Sequence, residues 1–104
     1  MQHTLILTPH AQQDLDDAYN WYEEQNQGLG KEYIRCIDAK MASIQRNPLQ
    51  YQVVFREQVR RALVNRFPFS IYFVMDSDMI TVMAILHQRR SPQSWKSRIQ
   101  GPAA

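Results

Sequence analysis

The sequence predicts an α+β domain: an N-terminal strand, an antiparallel helical hairpin packed on one face of an antiparallel β-sheet, and a short C-terminal helix. Three observations predict it. Apolar residues recur at helical spacing before residue 47, Asn47-Pro48 ends that pattern, and the stretch that follows is rich in β-branched and aromatic residues. Helices followed by a run of strands are typical of folds in which the helices cover one side of the sheet.

The first half of the chain predicts one strand and two helices. Residues 4–8 form the strand, and Thr8-Pro9 starts a helix because threonine caps the first turn and proline lacks an N–H that this turn leaves unpaired. This helix is expected to end near Gln25-Asn26, and a second helix covers residues 29–46. The apolar stripes of the two helices are Ala11, Leu15, Ala18 and Tyr22, and then Tyr33, Ile34, Ile37, Met41 and Ile44.

The second half predicts strands over residues 51–55, 59–67, 70–75 and 79–87, with a turn at residues 76–78. Ser91-Pro92 opens a terminal helix in which Trp95 docks while Lys96 and Arg98 face outwards. We expect one domain over residues 1–100 and a frayed tail over 101–104. Side chains of a strand alternate between its two faces, so in the last strand every second residue should face the helices and the residues between them should face away. These sets are Ile80, Val82, Ala84 and Leu86, and Thr81, Met83, Ile85 and His87.

Charge is unevenly distributed along the chain. The net charge is +2, but residues 1–55 carry −3 and residues 56–104 carry +5, which favours either an acidic partner for the second half or a solvated charged face. The single cysteine and three separated histidines form no zinc motif, so no metal or cofactor is expected. A secretory signal and a membrane-length apolar run are also missing from the sequence, which fits a cytoplasmic protein that does not enter a membrane.

Arginines are the candidate binding residues. Three of them lie in the segment 59–67, where they suit phosphates, the carboxylates of an acidic peptide, or the protection of an exposed edge strand. Two more follow the last strand. We expect these guanidinium groups to converge in one anion-binding surface beside the sheet. The five residues are Arg60, Arg61, Arg66, Arg89 and Arg90.

A histidine and two tryptophans complete the set of candidates. His87 ends the last strand near Arg89, where it suits either general acid–base catalysis of phosphodiester cleavage or a structural hydrogen bond. Trp95 either docks the terminal helix or contacts a partner, since tryptophan is a common interface anchor. Trp21 lies off the apolar stripe of the first helix, and its exposure would indicate an interface.

Two motifs resemble the RelE/ParE superfamily, the toxins of bacterial type II toxin–antitoxin pairs that are also known as plasmid stabilisation proteins. FPFSIYFV, residues 67–74, resembles a Phe-Pro-Tyr-X-Ile-Tyr-Tyr segment of the family. ILHQRRSPQSW, residues 85–95, resembles the Val-Leu-His-X-X-Arg-X-Pro-X-X-Trp ending of its ParE branch. The start at Thr8-Pro9 and the helix end at Asn47-Pro48 extend the likeness over nearly the whole chain.

The resemblance implies a growth-inhibiting toxin, a cognate antitoxin that covers it, and one of two activities. ParE-like members inhibit DNA gyrase by binding, whereas RelE-like members cleave messenger RNA on the ribosome. Ser70 stands where nucleases often carry an arginine, so we expect the ParE-like activity, with target and antitoxin sharing the five arginines and Trp95. The alternative is a ribonuclease with His87 and Arg66 as catalytic residues. An inactive partner-binding module, and a homodimer or a heterotetramer with the antitoxin, also remain open.

Overall fold

A computed structural model describes residues 3–100 and contains one five-stranded sheet, three α-helices and a short 3-10 helix at Pro48–Gln50. The strands lie in the order β1-β5-β4-β3-β2, and every neighbouring pair is antiparallel except β1 and β5, which are parallel. The predicted α+β fold class is confirmed, and the predicted tail over 101–104 lies outside the described residues. The elements are β1 (Thr4–Leu7), α1 (Pro9–Gln25), α2 (Leu29–Arg46), β2 (Gln52–Phe55), β3 (Val59–Leu63), β4 (Phe69–Asp76), β5 (Met79–His87) and α3 (Gln93–Gln100).

The helical hairpin begins and turns as its capping residues dictate. The Thr8 hydroxyl accepts the Ala11 N–H at 3.1 Å, and Pro9 occupies the first turn. At the turn, Gly28 adopts φ +91°, a left-handed conformation that glycine reaches without steric cost. The Glu23 carboxylate then accepts the N–H groups of Gly28 and Gly30 at 2.9 and 3.0 Å, so a side chain of α1 caps the start of α2.

The sheet separates two hydrophobic clusters. The larger one lies between the sheet and the helical hairpin, and its aromatic rings meet at centroid distances of 5.0–5.5 Å around Tyr22, Tyr33 and Phe67. The smaller one lies on the opposite face, beneath α3. It consists of Val59, Tyr72, Ala84, Leu86 and Trp95. Among residues 3–100 no helix is long and apolar enough to cross a membrane.

A β-bulge at Met83 makes the predicted alternation of β5 wrong. Phe73 pairs with Val82 and Tyr72 pairs with Ala84, so Met83 has no partner on β4 and the side-chain phase shifts by one residue. Ile80, Val82 and Ile85 consequently pack under the helices, whereas Ala84 and Leu86 pack under α3. The bulge also changes the expected position of His87, whose side chain lies on the helical face with Ile85.

Side chains from α1 and α3 bind the backbone groups near the bulge. The Arg98 guanidinium donates to the Met83 carbonyl at 3.1 Å, and the Asp14 carboxylate accepts the Ile85 N–H at 3.0 Å. The two side chains also bind each other through two hydrogen bonds of 2.6 and 3.0 Å. The prediction that Arg98 faces outwards is therefore wrong: it points inwards and joins α3 to α1 and β5. We call Asp14, Arg98 and the Met83 bulge the bulge clamp.

The third predicted strand is shorter than expected. β3 ends at Leu63, and the chain then turns through Arg66, which has φ +73°. A tight turn precedes β3: Arg56 and Glu57 have φ +51° and +58°, and the Gln58 N–H donates to the Phe55 carbonyl at 3.1 Å. Two consecutive positive φ values are those of a type I′ hairpin turn, which usually contains asparagine or glycine.

Candidate binding site

A groove of about 490 Å³ lies between α1 and the carboxyl end of β5. Its lining is mostly apolar and aromatic and also includes the charged residues Asp14, Asp17 and Arg90. We call it the α1–β5 groove. It is lined by Asp14, Asp17, Ala18, Trp21, Tyr22, Phe69, Ile85, Leu86, His87 and Arg90. An apolar concave surface with a few polar groups is the usual form of a binding site in a small protein.

Trp21 gives the groove an exposed aromatic wall. Its side chain is 56% exposed, and its ring packs edge-on against Tyr22 at a centroid distance of 5.1 Å. The helical stripe predicted from the sequence places Tyr22 in the core and Trp21 beside it, and the structure agrees. An exposed tryptophan bordering an apolar groove is the kind of side chain that anchors protein interfaces.

His87 lies in the α1–β5 groove next to Phe69, with ring centroids 5.4 Å apart. Its Nδ1 atom accepts the N–H of Arg89 at 3.0 Å, so the neutral ring carries its proton on Nε2. In this arrangement the Nδ1 lone pair accepts a backbone hydrogen bond, and the other ring nitrogen presents an N–H group. This geometry suits a hydrogen-bond donor better than a proton acceptor.

Arg89 and Arg90 are exposed in the turn after β5, and only Arg90 lines the α1–β5 groove. The turn is fixed by the Arg90 N–H, which donates to the His87 carbonyl at 2.9 Å. This segment thus brings a histidine and an arginine from the predicted set to one groove.

The other predicted arginines do not converge with this pair. Arg60 and Arg61 are adjacent on β3 and so project from opposite faces of the sheet. Arg60 donates to the carbonyls of Leu49 and Tyr51 at 3.4 and 2.6 Å, and Arg66 pairs with Glu32 on α2 at 3.2 Å. The expectation of a single arginine surface is wrong, because Arg60 turns to backbone carbonyl groups and Arg66 lies beside Glu32 on α2.

Trp95 is buried under the sheet. Its ring stacks on Tyr72 at a centroid distance of 4.4 Å and meets Phe55 edge-on at 5.6 Å. Lys96 covers the same cluster, with its Nζ atom 5.0 Å from the Phe55 ring centroid. Trp95 therefore docks α3 in this structure and presents little surface to a partner.

A second groove, of about 590 Å³, lies along α2 and was not predicted from the sequence. We call it the α2 groove. The signal was present, because most of its residues recur at helical spacing on one face of α2. The charge count over residues 1–55 hides this face, because acidic residues elsewhere in the same half outnumber the cations of α2. The lining residues are Glu32, Arg35, Cys36, Ala39, Lys40, Ser43, Arg46, Asn65 and Arg66.

Burial perturbs two tyrosines near the α1–β5 groove. It raises the pKa of Tyr22 and, more strongly, that of Tyr33, where the neighbouring Tyr22 and Asp14 add to the effect. Within the described part of the chain, the side chains of His, Cys, Asp and Glu form no group of three or more that could hold a metal ion.

The fold and its grooves define a small α+β protein whose candidate sites are binding surfaces. The chain belongs to the ParE toxin family, described as the ParE toxin of the type II toxin–antitoxin system parDE, whose family model matches residues 5–92. The predicted membership of the RelE/ParE superfamily, in its ParE-like branch, is thereby confirmed.

Comparison with solved structures supports the fold. The chain is similar to a chain of the chromosomal ParDE toxin–antitoxin system from P. aeruginosa, with a TM-score of 0.74 and 22% sequence identity. The match covers 83% of this chain and 96% of the other. A search of curated proteins finds no match.

Proposed function

We propose that this ParE-family toxin acts in the cytoplasm by binding and inhibiting DNA gyrase, and that a cognate antitoxin neutralises it by covering the same surface. Membership of the ParE family supports the toxin role and implies the antitoxin. The observation that carries the proposal is the α1–β5 groove, which exposed Trp21 lines together with His87 and Arg90. An aromatic anchor flanked by a guanidinium is the composition of a protein-binding hot spot.

The geometry at His87 argues against the alternative, a ribosome-dependent ribonuclease. Phosphodiester cleavage needs a free base and donors aimed at the scissile phosphate. The Nδ1 atom of His87 is occupied by the Arg89 N–H, and Arg66, the second predicted catalytic residue, is ion-paired with Glu32. Ser70 is buried on β4 and offers no cationic group. These observations favour inhibition by binding.

The antitoxin segment is expected to combine apolar side chains with carboxylates. Apolar groups would fill the α1–β5 groove, while carboxylates would pair with the exposed guanidinium groups of Arg89 and Arg90. Such rim pairs mainly speed association, whereas buried apolar anchors slow dissociation. Arg60, Arg66 and Trp95 contribute less in this proposal than the sequence predicted, because internal contacts already engage them.

Inhibition of gyrase supercoiling by the purified full-length protein tests the proposal. Trp21→Ala should raise the concentration for half-inhibition at least about tenfold, since truncating an aromatic hot spot costs about 2 kcal/mol or more. Leu49→Ala is the matched control, because Leu49 is similarly exposed, at 63%, and lies outside the α1–β5 groove. Supercoiling that proceeds normally at excess wild-type protein would refute gyrase as the target.

Transcript mapping after induced expression separates the two activities. Binding to gyrase predicts growth arrest with intact transcripts, and His87→Ala should leave the transcripts equally intact. Codon-positioned cuts that vanish in His87→Ala would establish the ribonuclease instead. Harmless expression without any antitoxin would indicate a partner-binding module that has lost toxicity. Mass measurements of the co-expressed pair would distinguish a heterotetramer from a toxin homodimer.

A further inference from the structure

The α2 groove is a further concave surface within residues 3–100, and its charge is strongly positive. Four cations face one acid, which gives the groove a net charge of +3. Glu32 contacts both Arg35 and Arg66, at 3.5 and 3.2 Å, so a single carboxylate is shared by two guanidinium groups. Lys40 and Arg46 extend the positive charge along the helix. Such an arrangement attracts an anion longer than one carboxylate.

The lining of the α2 groove indicates what kind of polyanion fits. Its largest apolar groups are Cys36 and Ala39, so the groove has no anchor for the apolar side chains that give peptide segments their affinity. No aromatic ring lines it either, and single-stranded nucleic acids bind mainly by stacking their bases on such rings. Cations beside a neutral donor such as Asn65 are instead typical of contacts to a phosphate backbone.

The dimensions agree with a backbone track. Arg35 and Arg46 are eleven residues apart on α2, which corresponds to about 16 Å at ~1.5 Å per residue. Measured along the axis of a duplex, where one strand rises ~3.4 Å per nucleotide, this length corresponds to the rise of roughly five nucleotides. The α2 groove thus matches a short stretch of phosphates.

We infer that the α2 groove binds the phosphate backbone of duplex DNA without reading its sequence. The choice of DNA rests on the proposed function, because a toxin seated on gyrase works beside the duplex that gyrase holds. The α1–β5 groove then contacts the protein target while the α2 groove holds nearby DNA. Cationic contacts to phosphates bring affinity and salt dependence but no base specificity.

Fluorescence anisotropy with a labelled 20-base-pair duplex of mixed sequence, in the absence of gyrase, tests this inference. With three net charges engaged, the logarithm of the association constant should fall with the logarithm of salt concentration at a slope of about −2.7. Lys40→Gln with Arg46→Gln should reduce the slope to about −0.9. Lys31→Gln with Arg56→Gln, which removes two exposed cations outside the groove, should leave it unchanged.

A gain-of-affinity variant keeps the test independent of damage to the fold. Glu32→Gln removes the acid of the α2 groove and frees Arg35 and Arg66, so it should tighten duplex binding and steepen the slope to about −3.6. Weaker binding by Glu32→Gln, or equal losses in the groove variant and its control, would overturn the inference. Far-ultraviolet circular dichroism confirms that each variant is folded.

Competition experiments distinguish the other polyanions. A poly-glutamate peptide is one competitor. If the wild-type protein binds this peptide more tightly than it binds the duplex, and the variant Lys40→Gln with Arg46→Gln no longer binds the peptide, the α2 groove is a site for an acidic protein segment instead. Preference for a single strand over the duplex would also refute the inference. Duplex binding with unaffected supercoiling would refute only the proposed gyrase inhibition, whereas inhibition without duplex binding would refute only the DNA contact.

Discussion

Breaking the bulge clamp should destabilise the protein far more than breaking a surface ion pair. Arg98 is 18% exposed and Asp14 only 11%, so solvent screens their interaction weakly. Arg98→Met keeps most of the side-chain volume but removes two charge-assisted hydrogen bonds to Asp14 and one to the Met83 carbonyl. Removing one partner of a buried pair typically costs about 3–5 kcal/mol.

The expected loss is about 3 kcal/mol, the lower end of that range, because Asp14 keeps its hydrogen bond from the Ile85 N–H. For a chain of this size the loss corresponds to a decrease in Tm of roughly 12 °C, at ~4 °C per kcal/mol. Urea denaturation followed by circular dichroism measures the free energy, and calorimetry measures Tm.

Arg35→Met is the matched control for this experiment. It breaks the pair with Glu32, in which the Arg35 side chain is 75% exposed, so it should cost at most about 0.5 kcal/mol. A double-mutant cycle with Asp14→Ala and Arg98→Ala should give a coupling energy above about 1.5 kcal/mol. If Arg98→Met lowers the free energy of unfolding no more than Arg35→Met does, the bulge clamp is not a main support of α3.

Three further substitutions test individual features. Tyr33→Phe should raise the free energy of unfolding by about 1 kcal/mol, because the Tyr33 hydroxyl is the buried side-chain polar atom of residues 3–100 that lacks a hydrogen-bond partner. Burial raises the pKa of Tyr33 in the folded state, so above about pH 10 the Tyr33 hydroxyl loses its proton in the unfolded chain but keeps it in the folded protein. The free energy of unfolding of the wild type should therefore fall with pH there, by up to ~1.4 kcal/mol per pH unit more steeply than that of Tyr33→Phe. Gly30→Ala should cost about 1–3 kcal/mol in urea denaturation, because a Cβ atom there would lie 2.9 Å from two ring atoms of Tyr19 and 2.8 Å from Glu23 Oε1; unchanged stability would contradict this packing. Glu57→Gly should stabilise by about 0.5–1 kcal/mol by relieving φ +58°, whereas Glu57→Ala, which keeps the Cβ atom, should not; equal effects would exclude backbone strain as the cause.

Local sequence signals predicted the helices well because caps act within one turn. Thr8-Pro9 starts α1 and Asn47 follows the end of α2, as expected from threonine capping and from the restriction that Pro48 imposes on the residue before it. These effects depend on neighbours in the chain, so the sequence contains them fully.

The errors have a common physical origin in contacts between distant residues. The bulge at Met83 is supported by Asp14 and Arg98, which are 84 residues apart in the chain. A period-two pattern cannot reveal where one extra residue interrupts pairing, because both faces of β5 are apolar and either phase buries hydrophobic side chains. Arg60 likewise turns to two carbonyl groups that become neighbours only after folding.

Linear charge counting identified only part of the candidate sites. It favoured an acidic partner for the second half of the chain, and Arg89 and Arg90 are indeed exposed there. It overlooked the α2 groove because the acids of α1 outweigh the cations of α2 in the same half. Folding directs the two helices to different surroundings, so charge along the chain and charge on a surface are different quantities.

The bulge clamp also determines the composition of the α1–β5 groove. Without the extra residue at Met83, strict alternation would turn His87 away from the helical hairpin, as the sequence predicted, and so to the face of the sheet that α3 covers. The bulge instead turns His87 to the helical face, where it lines the groove with Trp21 and Arg90. Arg98 and Asp14 hold the backbone of the bulge. The contact that α3 makes through Arg98 therefore determines which side chains of β5 line the α1–β5 groove and meet a partner there. Loss of the clamp should therefore weaken binding at the groove even in molecules that remain folded.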